Sequence, residues 1–207
     1  MGIGSRRTLS LTAAQPECPL SNVAELTIAL AWGVIAALRS HLALDLQIKW
    51  PNDLVAQGQK LGGLLLQTRS FSPQVQVVVA GLGLNVNNSV PEMGINLSTL
   101  MHQPLDLTQV AAWVLQGLEQ GYSIWQQSGL TSIQAEINSW LMYRQQVLPS
   151  SPWGAVKIEG ITASGSLQIL TSQGVRTVNP GHLHLGYLSA DPDLGITTLY
   201  SQKCFGD

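Results

Sequence analysis

The sequence predicts an α/β fold of the α+β type, in which a mixed sheet with packed helices is followed by a small C-terminal β domain. Three observations predict it. A long apolar segment with helical periodicity near the N-terminus gives way to four β-like runs. Two further helical patterns follow. Beyond a Pro/Ser-rich stretch, the pattern becomes short strands separated by turn residues. The 207 residues are enough to bury a substantial core, and the expected division is 1–148 and 149–207.

Leu9 to Ala13 reads as a short strand, followed by a loop through Pro16 and Pro19. Asn22, with Glu25 three residues later, suggests a capping box for a helix from about Val23 to His41. Leu26, Leu30, Val34 and Leu38 recur on one face of that helix. Strands are expected at Leu46 to Trp50, Leu54 to Ala56, Lys60 to Arg69 and Gln74 to Leu84, with Gln57-Gly58-Gln59 as a hairpin connection. Helices then run from about Thr108 to Gln126 and Thr131 to Tyr143. Leu107, Val110, Val114, Leu118 and Tyr122 form the buried stripe of the first. Leu148-Pro149-Ser150-Ser151-Pro152 reads as a linker. The expected C-terminal strands are Ala155 to Glu159, Ser166 to Leu170, Val175 to Val178 and Leu183 to Tyr187.

Composition narrows the function classes. Apolar residues make up 45% and charged residues 11% of the chain, and the net charge is −2. That balance carries no basic footprint for nucleic acid, so no DNA-binding role is expected. The most apolar window, Ala24 to Leu38, is interrupted by Glu25 and reads as a buried helix rather than a membrane span. Leu9 to Ala14 is too short and polar for a signal peptide core. Cys18 and Cys204 are isolated and read as reduced thiols. A cytoplasmic protein, monomeric or homodimeric, is the expectation.

The chemistry concentrates in Lys49-Trp50-Pro51-Asn52-Asp53-Leu54 and Lys60-Leu61-Gly62-Gly63-Leu64-Leu65. Pro51 biases Trp50 towards an extended conformation, so the strand carrying Lys49 should end there. Two lysines at one hairpin mouth suit a phosphate-bearing ligand, each acting as a point charge. Asp53 could cap the turn, hold a polar ligand group or bind Mg²⁺; the residues alone leave these open. Gly62 and Gly63 interrupt a β-like run, where glycine is costly unless something approaches the backbone closely. Gly81-Leu82-Gly83-Leu84-Asn85 lacks the third glycine of a dinucleotide fingerprint and reads as a strand end beside a ligand. There is no GxxxxGK[ST] sequence. His182 and His184 alternate, but no carboxylate or cysteine lies near them in sequence. Of the six tryptophans, Trp50 alone falls inside the suspected site.

These motifs, in this order and spacing, together with Gly81-Leu82-Gly83-Leu84-Asn85-Val86-Asn87, resemble the central signature of the biotin protein ligases. The resemblance extends over most of the chain. It implies a catalytic domain like that of class II aminoacyl-tRNA synthetases and an SH3-like C-terminal domain. It also implies biotin–[acetyl-CoA-carboxylase] ligase activity. Biotin and ATP react to biotinyl-5′-adenylate, and a lysine of the biotin carboxyl carrier protein of acetyl-CoA carboxylase then takes the biotin. By the family pattern, Lys60 and Lys49 are catalytic. Lys60, Gly62, Gly63 and Trp50 face biotin. Lys49, Asn52, Asp53, Gly83 and Asn85 face the nucleotide, with Asp53 near Mg²⁺. Family members also carry a biotin-binding strand and a Gly/Arg-rich loop ahead of the first long helix. Gly4-Ser5-Arg6-Arg7 is only a faint echo of that loop, so the chain is expected to lack this segment. A catalytically incomplete remnant that binds biotin, nucleotide or carrier protein, and a lipoate ligase-like acyltransferase, are the alternatives.

Overall fold

A computed structural model of the chain describes residues 8–13, 18–19, 22–70, 74–148, 151–190 and 197–200. The first part contains β1 (Thr8–Ala13), β2 (Cys18–Pro19), α1 (Val23–Leu42), β3 (Leu46–Lys49), β4 (Asp53–Ala56), β5 (Gln59–Ser70) and β6 (Gln74–Leu84). Then come α2 (Leu97–Met101), α3 (Leu107–Ser128) and α4 (Gln134–Trp140). The remainder is β7 (Val147–Leu148), β8 (Val156–Ile161), β9 (Leu167–Thr171), β10 (Gly174–Val178), β11 (Tyr187–Ala190) and β12 (Thr197–Tyr200).

Helix α1 is apolar on nearly every side because it lies between the larger sheet and α3. Leu26, Ile28, Val34, Ile35 and Leu38 are fully buried. By length and hydropathy alone this helix could cross a membrane, but most of it is covered by the protein's own elements. Its contact with α3 is backbone to backbone. A Cβ on Gly33 would overlap the carbonyl of Gly117, and one on Gly117 or Gly121 would overlap α1 in return. Three glycines therefore set the interhelical distance. Asn22 stands at the N-cap with helical dihedrals and its side chain makes no capping hydrogen bond, so that half of the expected capping box does not form. Helix α3 is capped instead by Asp106, whose carboxylate accepts from the Thr108 and Gln109 amides. The short α2, unforeseen from periodicity, starts at Asn96, which caps the Thr99 amide at 2.7 Å.

The larger sheet has the order β1-β6-β5-β4-β3, with β2 also on β6. Its ladders are antiparallel, and parallel pairing is confined to isolated bridges such as Ile48 to Leu141. Gln57 and Gly58 both have positive φ, as a two-residue type I′ hairpin requires, and join β4 to β5. Leu54, Leu64, Val78 and Leu82 are buried, as expected for the face turned to the helices.

The second sheet has the order β10-β9-β8-β7. Val147 and Leu148 pair with Lys157 and Val156, so β7 and β8 are antiparallel neighbours in this sheet. The chain has thus entered the second sheet just before the expected boundary at 148/149. The expected strand at Leu183 to Tyr187 is irregular until Tyr187, where β11 begins and pairs with β12. The two parts meet through specific bonds. The Trp50 indole N–H donates to the Gly165 carbonyl at 2.9 Å, and Gln134 donates to the Ile161 carbonyl at 2.6 Å.

Candidate active site

Strand register builds the site. Residues directly opposite in an antiparallel pair share a face. Lys49 is opposite Asp53, Asp53 opposite Gly63, and Gly63 opposite Gly83. One row across four strands therefore carries a cation, an anion and two bare backbone positions on the face away from α1. Lys60 should not join them, since it lies an odd number of residues before Gly63. A β-bulge resolves this: Leu54 pairs with Gly62 but Val55 with Lys60, so Leu61 is an extra residue. The bulge turns Lys60 onto the same face as Asp53, a common use of bulges beside functional sites.

The charges then converge. Lys60 Nζ is 2.6 Å from Asp53 Oδ1, and Lys49 Nζ is 2.9 Å from Asp53 Oδ2. Lys49 and Asp53 are each 8% exposed, whereas the Lys60 side chain is 36% exposed. Lys60 is thus the cation available to a ligand. Burial alone would raise the Asp53 pKa, but the two ammonium groups outweigh it and hold the carboxyl below the usual range. Burial pushes the Lys49 ammonium down; its bond to Asp53 opposes that shift and nearby Lys60 adds to it.

The backbone of Lys60 is fixed from outside its own hairpin. Its amide donates to the Met93 carbonyl at 3.0 Å and its carbonyl accepts from the Ile95 amide at 2.9 Å. Asn85 serves the same loop. Its carboxamide donates to the Lys60 and Ile95 carbonyls and accepts from Asn88. Asn52 likewise donates to the Leu64 carbonyl at 2.6 Å and holds the β3–β4 turn against β5.

The glycines divide into two kinds. A Cβ on Gly62 would sit 2.5 Å from the Gly83 carbonyl, so Gly62 is required by packing. A Cβ on Gly63 would sit 2.9 Å from Asp53 Oδ1, so its bareness admits the carboxylate. Gly83 is exposed, and among the described residues a Cβ there would meet nothing within 4 Å. Nothing among the described residues demands glycine at 83.

The expected residues are therefore brought together with different duties. Lys49, Asp53, Lys60, Gly63 and Gly83 share one face, while Asn52 and Asn85 hold the loops that frame it. Trp50 is 2% exposed and spends its N–H on Gly165, so its burial gives no support to a direct ligand contact. The Asp53 carboxylate does not fit a Mg²⁺ ligand in this arrangement. Lys60 occupies one oxygen, and Lys49 and Tyr187 occupy the other. No group of three or more His, Cys, Asp or Glu residues that could hold a metal occurs among the described residues. His182 and His184 are both exposed, outside any strand.

Tyr187 is the participant that sequence reasoning missed. Its hydroxyl donates to Asp53 Oδ2 at 2.9 Å across 134 positions of chain, and its ring centroid lies 4.1 Å from Lys49 Nζ. No local pattern in the sequence marks it.

The sequence profile of the biotin/lipoate A/B protein ligase family matches residues 5–85. The bifunctional ligase/repressor BirA of Bacillus subtilis is 27% identical over 184 residues, covering 83% of this chain and 56% of that protein. The biotin–[acetyl-CoA-carboxylase] ligase of Paracoccus denitrificans is 39% identical over 85 residues, covering 41% of this chain and 32% of that one. The chain thus spans about half the length of the first of these relatives. The biotin protein ligase of Aquifex aeolicus, solved without ligand, superposes with a TM-score of 0.74 at 22% identity, covering 87% of this chain and 82% of that one. Its complex with biotin and ATP gives 0.72.

Proposed function

We propose that this chain, which belongs to the biotin protein ligase family, activates biotin with ATP and transfers it to a lysine of a carrier protein. A carboxylate oxygen of biotin attacks the α-phosphorus of ATP and the bond to the β-phosphate oxygen breaks, giving biotinyl-5′-adenylate and pyrophosphate. The acceptor's neutral lysine amine then attacks the acyl carbon, AMP leaves, and the amine's surplus proton passes to solvent. No covalent bond to the enzyme is needed.

The observation that carries this reading is the partly exposed Lys60 ammonium, held by Asp53 beside the bare backbone of Gly63. Two polyanionic or anionic groups must be brought together for adenylation, and their repulsion is the first obstacle. A fixed cation at that point offsets charge that grows in the transition state, and loss of one such preorganised group costs on the order of 10²–10³ in rate. Lys49, buried beneath, contributes field rather than contact. Magnesium enters as part of the nucleotide substrate, and no step is assigned to a protein-bound ion.

The finer specificity is proposed on the same basis. The Paracoccus relative's name supports acetyl-CoA carboxylase's carrier protein as acceptor. The names of the relatives concern biotin, which does not favour the lipoate alternative, although the family profile spans both. Biotin-dependent exchange of labelled pyrophosphate into ATP tests the first half-reaction. Exchange that appears with biotin and is not competed by excess lipoate supports the assignment. Exchange driven by lipoate, or none from folded protein, refutes it.

A further inference from the structure

We infer that Tyr187, supplied by the C-terminal segment, is a positioning residue for the adenylation step: its hydroxyl and ring partition the two lysines of the site. This rests on the ligase reading above. The carboxylate of Asp53 has two oxygens and three donors around it. Oδ1 holds Lys60 alone, while Oδ2 takes both Lys49 and the Tyr187 hydroxyl. Lys49 is also confined by the Tyr187 ring, whose π face attracts an ammonium. The tyrosine thus closes the buried side of the carboxylate, so that Lys60 is left pointing to the open face.

Tyr187 is 3% exposed and its hydroxyl is bonded to Asp53, so it acts through Asp53. Its position is fixed by its neighbour. The Gly186 carbonyl accepts from the Tyr143 hydroxyl at 3.0 Å, and Tyr143 follows Met142, whose amide bonds the Ile48 carbonyl on β3. The segment that delivers the phenol is therefore tied back to the strand that carries Lys49. Without the hydroxyl, the carboxylate is free to rotate and share both oxygens between the lysines, which moves the Lys60 ammonium away from the open face. A hydrogen bond to a charged group is also among the stronger ones.

Tyr187→Phe keeps the ring and removes only the hydroxyl. Single-turnover formation of biotinyl-adenylate by the whole chain reads both rate and amplitude. The expected result is a rate about tenfold lower, the scale of one charge-assisted hydrogen bond, with unchanged amplitude and a half-saturating biotin concentration within about twofold. Tyr187→Phe in an Asp53→Asn background should add little, because the charge that the hydroxyl orients is gone. A wild-type rate in Tyr187→Phe, or a loss of amplitude with the rate unchanged, overturns the inference, the latter marking a purely structural role. Full additivity of the two substitutions overturns it as well. A wild-type chain that forms no adenylate refutes the ligase reading, and this inference falls with it.

Discussion

Asp53 has one carboxylate for three donors, and most of the site's behaviour follows from that. Replacing it by Asn would leave Lys49 buried without a counter-charge. Breaking a buried pair from one side typically costs about 3–5 kcal/mol, so Asp53→Asn should lower the urea midpoint by a corresponding amount. The pH dependence has a definite sign. The Asp53 pKa is lowered from 3.8, so its contribution is complete above that value and is lost as pH falls through the depressed one. The Tyr187 pKa is raised from 10.0, first by burial and then by the neighbouring carboxylate. Its contribution is complete below pH 10.0 and is lost as the phenol ionises above it. Melting temperature should therefore fall at the acid end of the profile, and Asp53→Asn should make that acid limb shallower. An unchanged acid limb in the variant would contradict this assignment.

At the scale of elements, glycine is used for opposite purposes. Gly33, Gly117 and Gly121 let α1 and α3 touch through their backbones. Gly33→Ala must push the helices apart, and overpacking of this kind costs about 1–3 kcal/mol, measurable as a lower melting temperature. Gly83 lies in open space, so Gly83→Val should leave stability within about 0.5 kcal/mol, as for most surface changes. The same substitution should weaken binding of biotin or nucleotide, which calorimetry would read. A destabilised but fully binding Gly83→Val protein would overturn the proposed ligand contact at Gly83. The hairpin chemistry was legible in sequence because its signals are local. Pro51 ended β3, Gln57-Gly58 closed β4 onto β5, and valine-rich alternation gave β6. The bulge at Leu61 was not legible, since it follows from the pairing of β5 with two neighbours at once. Helix α2 escaped for a related reason: five residues are too few to show a period.

At the scale of the whole molecule, the C-terminal part is bonded to the site rather than appended to it. Trp50 Nε1 to the Gly165 carbonyl and Tyr187 to Asp53 are buried contacts between residues more than a hundred positions apart. Lys49, Asp53 and Lys60 were recognisable because a hairpin brings near neighbours together. Tyr187 was not, because only the closed fold brings it there; Trp50, expected to face biotin, is buried and donates to the Gly165 carbonyl. Trp50→Phe should cost about 1–3 kcal/mol by leaving the Gly165 carbonyl unsatisfied in a buried setting, a loss that denaturant unfolding would register.

The central claim is that Lys60, held by Asp53 on the open face, drives the activation of biotin. It is tested most directly by incubating this chain and its Lys60→Ala variant with biotin, MgATP and a biotin carboxyl carrier protein, and measuring labelled acceptor. The account predicts acceptor biotinylation by the wild type and a fall on the order of 10²–10³ in the variant. Equal labelling by both, or none by a folded wild type, would contradict it.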